Sequence, residues 1–274
     1  MPRFQYKNYL LLLLTVVAVF NYLDRIVLSM AIELIKADFQ LSDSQLGFLS
    51  GFAFALFYAV AGLPLARWAD RGNRNTIITL TTALWSGMVA ISALVANFSQ
   101  LLLVRIGVAV GEAGCLPPAQ SLIAEYFDRS ERPRAMSIYW LAGSLAVVIG
   151  YLGGGWLIEH YGWRVTFMAI GLPGIVLSIL VKFTLREPRL SSVSTEEAIN
   201  LPLKSVLATL LKCITFRHIL FAFAVSNFFS LGLVVWLPTF FIRSYGMDID
   251  QLGAWFALVW GVSGLVGSYG GGWL

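Results

Sequence analysis

Four ionisable residues stand inside stretches that are otherwise almost wholly apolar: Asp24 and Arg25 in "FNYLDR" (20–25), and Arg105 and Glu112 in "RIGVAVGEAG" (105–114). Ionisable groups at membrane depth cost several kcal/mol unless paired or hydrated, so they are functional by default. Arg105 and Glu112 are seven residues apart, about 20° from one helix face and ~10 Å apart along the axis. On the span boundaries given below, Asp24 falls between them in depth, so one cavity could hold two carboxylates and two guanidiniums. An arginine favours the charged form of a nearby carboxylate, and burial opposes it. A carboxylate held between those effects can change partner or take a proton as the cavity opens and closes. Three roles stay open for the set: proton coupling, static ion pairing of two helices, and substrate ligation.

The elements that must position these residues are membrane helices. Of 274 residues, 58% are hydrophobic and 12% are charged, with mean hydropathy +0.77. A soluble domain carries roughly twice that share of charge and could not hide so much apolar surface. Composition therefore sets the class as an all-α, polytopic helix bundle. A crossing needs about 20 apolar residues, and eight segments qualify: 8–32, 44–66, 76–96, 101–126, 135–158, 163–185, 219–241 and 251–274. The longer connection 186–218 contains "LKSVLATLLKCITF", whose Leu203, Val206, Leu207, Leu210, Leu211 and Ile214 recur at helical spacing. It reads as an interfacial helix or a helix packed on the bundle.

Basic residues orient the chain. With a cytoplasmic N-terminus, the inner side carries Arg3, Lys7, Arg67, Arg71, Arg74, Arg129, Arg132, Arg134, Lys182, Arg186, Arg189, Lys204, Lys212 and Arg217. The outer side carries Lys36, Arg164 and Arg243. The net charge of +4 is thus a topology signal rather than a nucleic-acid one. Cys115 and Cys213 read as free structural thiols, and His160 and His218 stand alone near span ends. No metal-ligand spacing, cofactor motif or cluster of catalytic groups is present, which argues against an enzyme.

"GYLGGGWL" (150–157) closes the fifth segment and "GSYGGGWL" (267–274) the eighth. Related segments three apart indicate a three-span unit, of which the second segment is the earlier member. Such units, paired into six-span halves, build many secondary transporters. Glycines four apart, Gly47/Gly51, Gly107/Gly111, Gly150/Gly154 and Gly267/Gly271, allow close helix packing. Pro117, Pro118 and Pro173 are expected to kink their helices. In the seventh segment Asn227 and Trp236 are candidate substrate contacts, as is Tyr22 in the first.

"ADRGNR" (69–74) resembles the signature loop of the major facilitator superfamily, Gly-x-x-x-Asp-Arg-x-Gly-Arg-Arg/Lys. Asp70, Arg71 and Arg74 match; Ala66, Asn73 and Asn75 depart from it. The resemblance implies a conformational latch, in which the aspartate meets a helix end of the opposite half. "FNYLDR", "RIGVAVGEAG", "WRVTFMAIGLPG", "REP" (186–188) and "WLPTFFIRSYGM" (236–247) resemble the spinster-like branch. The anion:cation symporter branch is similar in its first and seventh spans. The fifth span lacks the Gly-Pro pair of drug/proton antiporters, which weighs against drug efflux.

The resemblance implies a fold of twelve spans, of which eight are present: a six-span half (1–185), the inter-half loop (186–218) and two spans of a second half (219–274). A truncated chain is one reading of that count, and a non-transporting membrane protein is its companion. The function implied is a proton-coupled secondary transporter of a small amphiphilic or organic-anion substrate, monomeric at full length, in the plasma (inner) membrane. Asp24, Arg25, Arg105 and Glu112 would carry the coupling.

Overall fold

The computed structural model describes residues 3–188 and 203–271. It is all-helical, with no strand among the described residues. Span 1 is one helix, Arg3–Phe39, and span 2 runs Asp43–Arg71. Span 3 is Arg74–Ser92, and span 4 is Phe98–Tyr126, broken where Gly114 and Cys115 leave the helix before Pro117 and Pro118. Arg132–Thr184 is continuous by hydrogen bonding and 53 residues long. Straight, it would reach roughly 80 Å, far beyond the ~30 Å of bilayer hydrocarbon. Gly162 at φ +77° turns it back, giving spans 5 and 6. Only a residue without a side chain adopts that backbone freely.

Span 7 is Ile214–Tyr245. The expected boundary at 218 therefore falls inside it. Span 8 runs Ile249–Phe256, Ala257–Gly261 and Val262–Gly271 without interruption. A separate helix, Leu203–Lys212, precedes span 7; its Leu207, Leu210 and Leu211 are exposed. The hinge is Cys213, whose extended backbone ends the expected amphipathic run before Ile214.

Among the described residues six helical stretches, Arg132–Thr184 counted as one, are long and apolar enough to cross a membrane. Large apolar side chains such as Leu103, Leu172, Val176 and Phe183 point outward, as a lipid-facing surface requires. Tight packing inside comes from small residues. A Cβ on Gly111 would lie 2.7 Å from the Trp85 backbone nitrogen, and one on Gly171 2.5 Å from that of Ala90, so spans 4 and 6 both press on span 3. Gly150 and Gly154 meet Ile26 and Val27 of span 1. Of the expected glycine pairs, Gly51 and Gly267 have open space around them.

Spans 2, 5 and 8 share one irregularity. Each contains a π-helical segment, Phe48–Ala53, Gly150–Gly154 and Ala257–Gly261. These are the three spans that the sequence repeat relates.

The opposite end, which holds Arg74, is tied by ion pairs. Lys7 donates to both Glu131 oxygens at 2.7 and 2.8 Å, joining the start of span 1 to the turn before span 5. Lys7 holds the exposed Glu131 carboxyl below its usual range. A carboxylate depressed in the folded state stabilises the fold above its unfolded pKa, and that contribution is lost as pH falls through the folded value. The thermal midpoint of Lys7→Met should therefore fall slightly below wild type at neutral pH, and the gap should close on acidification below the carboxylate range. A gap independent of pH would remove Glu131 as its cause.

Candidate functional site: two crossed ion pairs between spans 1 and 4

Span 1 carries Asp24 and Arg25 on adjacent positions, so they project about 100° apart. Span 4 carries Arg105 and Glu112 on one face. The structure brings all four together as two separate pairs. Arg105 Nη1 donates to both Asp24 oxygens, at 2.9 and 2.7 Å. Arg25 donates to Glu112 Oε2 from Nε at 2.8 Å and Nη2 at 2.5 Å. Each helix thus gives one acid and one base, and each pair crosses between them. Asp24, Arg105 and Glu112 are almost wholly enclosed, whereas the Arg25 side chain is 27% exposed.

Aromatic rings complete the surroundings of Arg25. Its guanidinium carbon lies 4.7 Å from the Phe54 ring centre, 5.3 Å from Tyr58 and 5.8 Å from Tyr22. Phe54 also lies 5.5 Å from Arg105. Such faces attract cations and exclude water. The arrangement is a partly open cation backed by rings, beside a buried carboxylate.

Some buried polar atoms here lack a protein partner. They are Asn21 Nδ2, Arg105 Nε and Glu112 Oε1. The two pairs are therefore not saturated.

The expected latch residues lie at the Arg74 end. Arg74 is fully buried. Its backbone N–H and guanidinium both bond Glu187, its Nη2 meets Glu125 at 2.6 Å, and Nη1 donates to Ser121 at 2.9 Å. Each of these partners precedes residue 189. Asp70 and Arg71 sit exposed at the end of span 2. Of the candidate substrate contacts, Tyr22 stands beside Arg25. Trp236 is half-buried against Gly47 of span 2. Asn227 donates to the Phe223 carbonyl of its own helix at 2.8 Å, on an exposed stretch.

Sequence reasoning missed Phe54 and Tyr58. Their spacing of four on span 2 was a usable signal, though an aromatic pair on an apolar helix is ordinary. It also missed the cluster at the far end. There Arg243 of span 7 bonds Glu33 at 2.8 Å and Asp43 at 2.7 Å, and Lys36 bonds Asp43 at 2.7 Å.

Residues 14–274 match the family model of the Major Facilitator Superfamily. The chain is 32% identical over 254 residues to an MFS-type efflux pump of Mycolicibacterium smegmatis, covering 93% of this chain and 59% of the relative. It is 31% identical over 278 residues to a probable L-galactonate transporter of Escherichia coli, covering 96% and 61%. Among solved structures it is similar to a bacterial homologue of the human lysosomal transporter spinster, inward-facing and unoccupied. There the TM-score is 0.82 at 33% identity, over 95% of this chain and 60% of the other. The chain thus spans about three-fifths of the length of these relatives. A helical membrane bundle with this match along nearly all its length belongs to the Major Facilitator Superfamily, and within it resembles the spinster-like members.

Proposed function

We propose that this chain works in a proton-coupled secondary transporter that moves a small organic-anion or amphiphilic substrate by alternating access. The carrying observation is the crossed pairing of Asp24 with Arg105 and Glu112 with Arg25, with Arg25 alone reaching open space. An anionic group on the substrate would compete with Glu112 for Arg25. A buried carboxylate stripped of its cation favours the neutral form, so substrate arrival and proton uptake become linked. The ring cage of Tyr22, Phe54 and Tyr58 gives an amphiphile's apolar part a surface beside the same cation. The probable L-galactonate transporter supports an organic anion. The spinster homologue supports the branch.

In this reading the N-terminus is cytoplasmic and the Arg74 end faces the cytosol, in a plasma membrane. Residues 1–185 form one half and the chain from Ile214 onward part of the other, with 186–213 between them. Asp70, Arg71 and Arg74 serve as the cytoplasmic latch, Arg74 anchoring the loop through Glu125 and Glu187 while Asp70 is presented at the surface. Arg243 with Glu33 and Asp43 closes the outer face. Trp236 borders the cavity from span 7, with Asn227 further along it. The chemistry is transport rather than catalysis, and no cofactor or nucleic acid enters it.

Proteoliposomes loaded with a pH-sensitive dye test this. Galactonate and a lysophospholipid, offered in turn, should identify the substrate class by the proton movement they drive; the sign gives import or export. Glu112→Gln and Asp24→Asn should lose that movement by at least tenfold while substrate counterflow persists. Normal pH-dependent transport in both variants would sink the coupling assignment.

A further inference from the structure

We propose that Asn21 holds a single water molecule between the two ion pairs, against Arg105 Nε and Glu112 Oε1. The placement follows from helix geometry. Asn21 lies one turn before Asp24 and Arg25, and its direction falls between theirs, about 60° from the first and 40° from the second. It therefore faces span 4. Tyr6 packs on Tyr126 with ring centres 5.4 Å apart, and Asp24 meets Arg105. Asp24 and Arg25 both reach span 4, so Asn21 stands on the face of span 1 that carries both pairs. Asn21 is 8% exposed.

The three orphaned atoms are complementary to water rather than to one another. Asn21 Nδ2 and Arg105 Nε are donors, and the carboxylate Oε1 is an acceptor. A water molecule accepts from both and donates to the third, which gives it the three bonds typical of a buried site. An ion cannot satisfy that set: an anion would face Glu112, and a cation would face Arg105 and Arg25. The water fits the ionised Glu112; a protonated Oε1 would be a third donor to its two lone pairs, so the water would keep both ion pairs bridged only by releasing Asn21. With Glu112 ionised it would connect the Asp24–Arg105 pair with the Arg25–Glu112 pair. This role as a relay rests on the coupling reading above; the water site itself does not.

Infrared difference spectra of the protein in lipid, taken across a pH step in ordinary and heavy-oxygen water, test the site. The wild type should show a narrow O–H stretching band that shifts with the oxygen isotope, the mark of an isolated internal water. Asn21→Leu should abolish it. Asn21→Ala, too small to overpack, should do the same if the leucine variant does not fold. Asn21→Ser, which keeps a donor, should retain it. A band that survives in the apolar variants, or is missing from the wild type, overturns the proposal. The same spectra carry the carboxyl signal assigned by Glu112→Gln. Its absence, with the water band present, would end the coupling reading and leave the water site standing.

Discussion

Arg105→Leu should destabilise the protein by about 3–5 kcal/mol, the largest loss expected from a single substitution in the cluster. Asp24 would be left fully enclosed and without its partner, since Arg105 supplies both hydrogen bonds to its carboxylate. Arg25 cannot take over without abandoning Glu112, which is equally enclosed. Adding Asp24→Asn should recover most of the loss, because the neutral amide carries no stranded charge. Asp24→Asn alone should cost less than Arg105→Leu. The amide keeps one acceptor for Arg105, and a guanidinium beside Phe54 retains some cation–π attraction. Unfolding by denaturant of the two single variants and the double variant closes the cycle. A coupling energy below about 0.5 kcal/mol would mean that the residues act independently.

The second large effect concerns the end of the bundle that holds Arg243. Gly253 of span 8 lies flush against span 5. A Cβ there would overlap the Tyr151 carbonyl oxygen and come 3.2 Å from Met30 Cε. The Tyr151 and Phe256 rings stack at 5.1 Å, and Phe241 of span 7 meets Phe256 edge-on at 5.7 Å. Backbone cannot yield as a flexible side chain can, so Gly253→Ala must push spans 5 and 8 apart. Overpacking of this kind costs roughly 1–3 kcal/mol, enough to shift a two-state balance about tenfold. In a Cys213→Ser background, a cysteine replacing Ser29 reports the change. Ser29 is 2% exposed and faces the same side of span 1 as Arg25 and Tyr22. Its labelling by an impermeant maleimide from the Arg243 side should quicken about tenfold when Gly253→Ala is added. Arg243→Ala should act in the same direction. An unchanged rate in both would show that these contacts do not hold that end shut.

The sequence made the architecture legible because lipid imposes a simple rule: long apolar helices and few buried charges. The same rule exposed Asp24, Arg25, Arg105 and Glu112, since their types are out of place where they stand. Their partnering was not legible. Spacing fixes the face of one helix but not the direction of its neighbour, and either acid could have met either base. Phe54 and Tyr58 stayed hidden for the opposite reason, because aromatic residues are common on a lipid-facing helix. Gly171 and Gly174 form the close contact of spans 3 and 6, yet their spacing of three falls outside the four-residue pattern that drew attention to other pairs. The start of span 7 was misplaced because Cys213 interrupts an apolar run that continues on both sides. Arg74 was legible as a loop charge, but its burial needed Glu125 and Glu187, which lie far away in sequence.

The π-helical segments of spans 2, 5 and 8 carry a consequence for how such a chain can change over generations. A π turn is one residue more than a regular helix accommodates. Deleting that residue would restore an ordinary helix, but everything beyond the deletion would rotate by about 100° and slide by ~1.5 Å. In span 2 the rotation would carry Phe54 and Tyr58 away from Arg25. In span 5 it would carry Tyr139 and Ala142, both buried, off the face they share with Gly150 and Gly154, or the reverse. Substitutions within these segments can be tried one at a time, whereas a change of length cannot. Lineages descending from this chain should vary there in residue type while conserving the count.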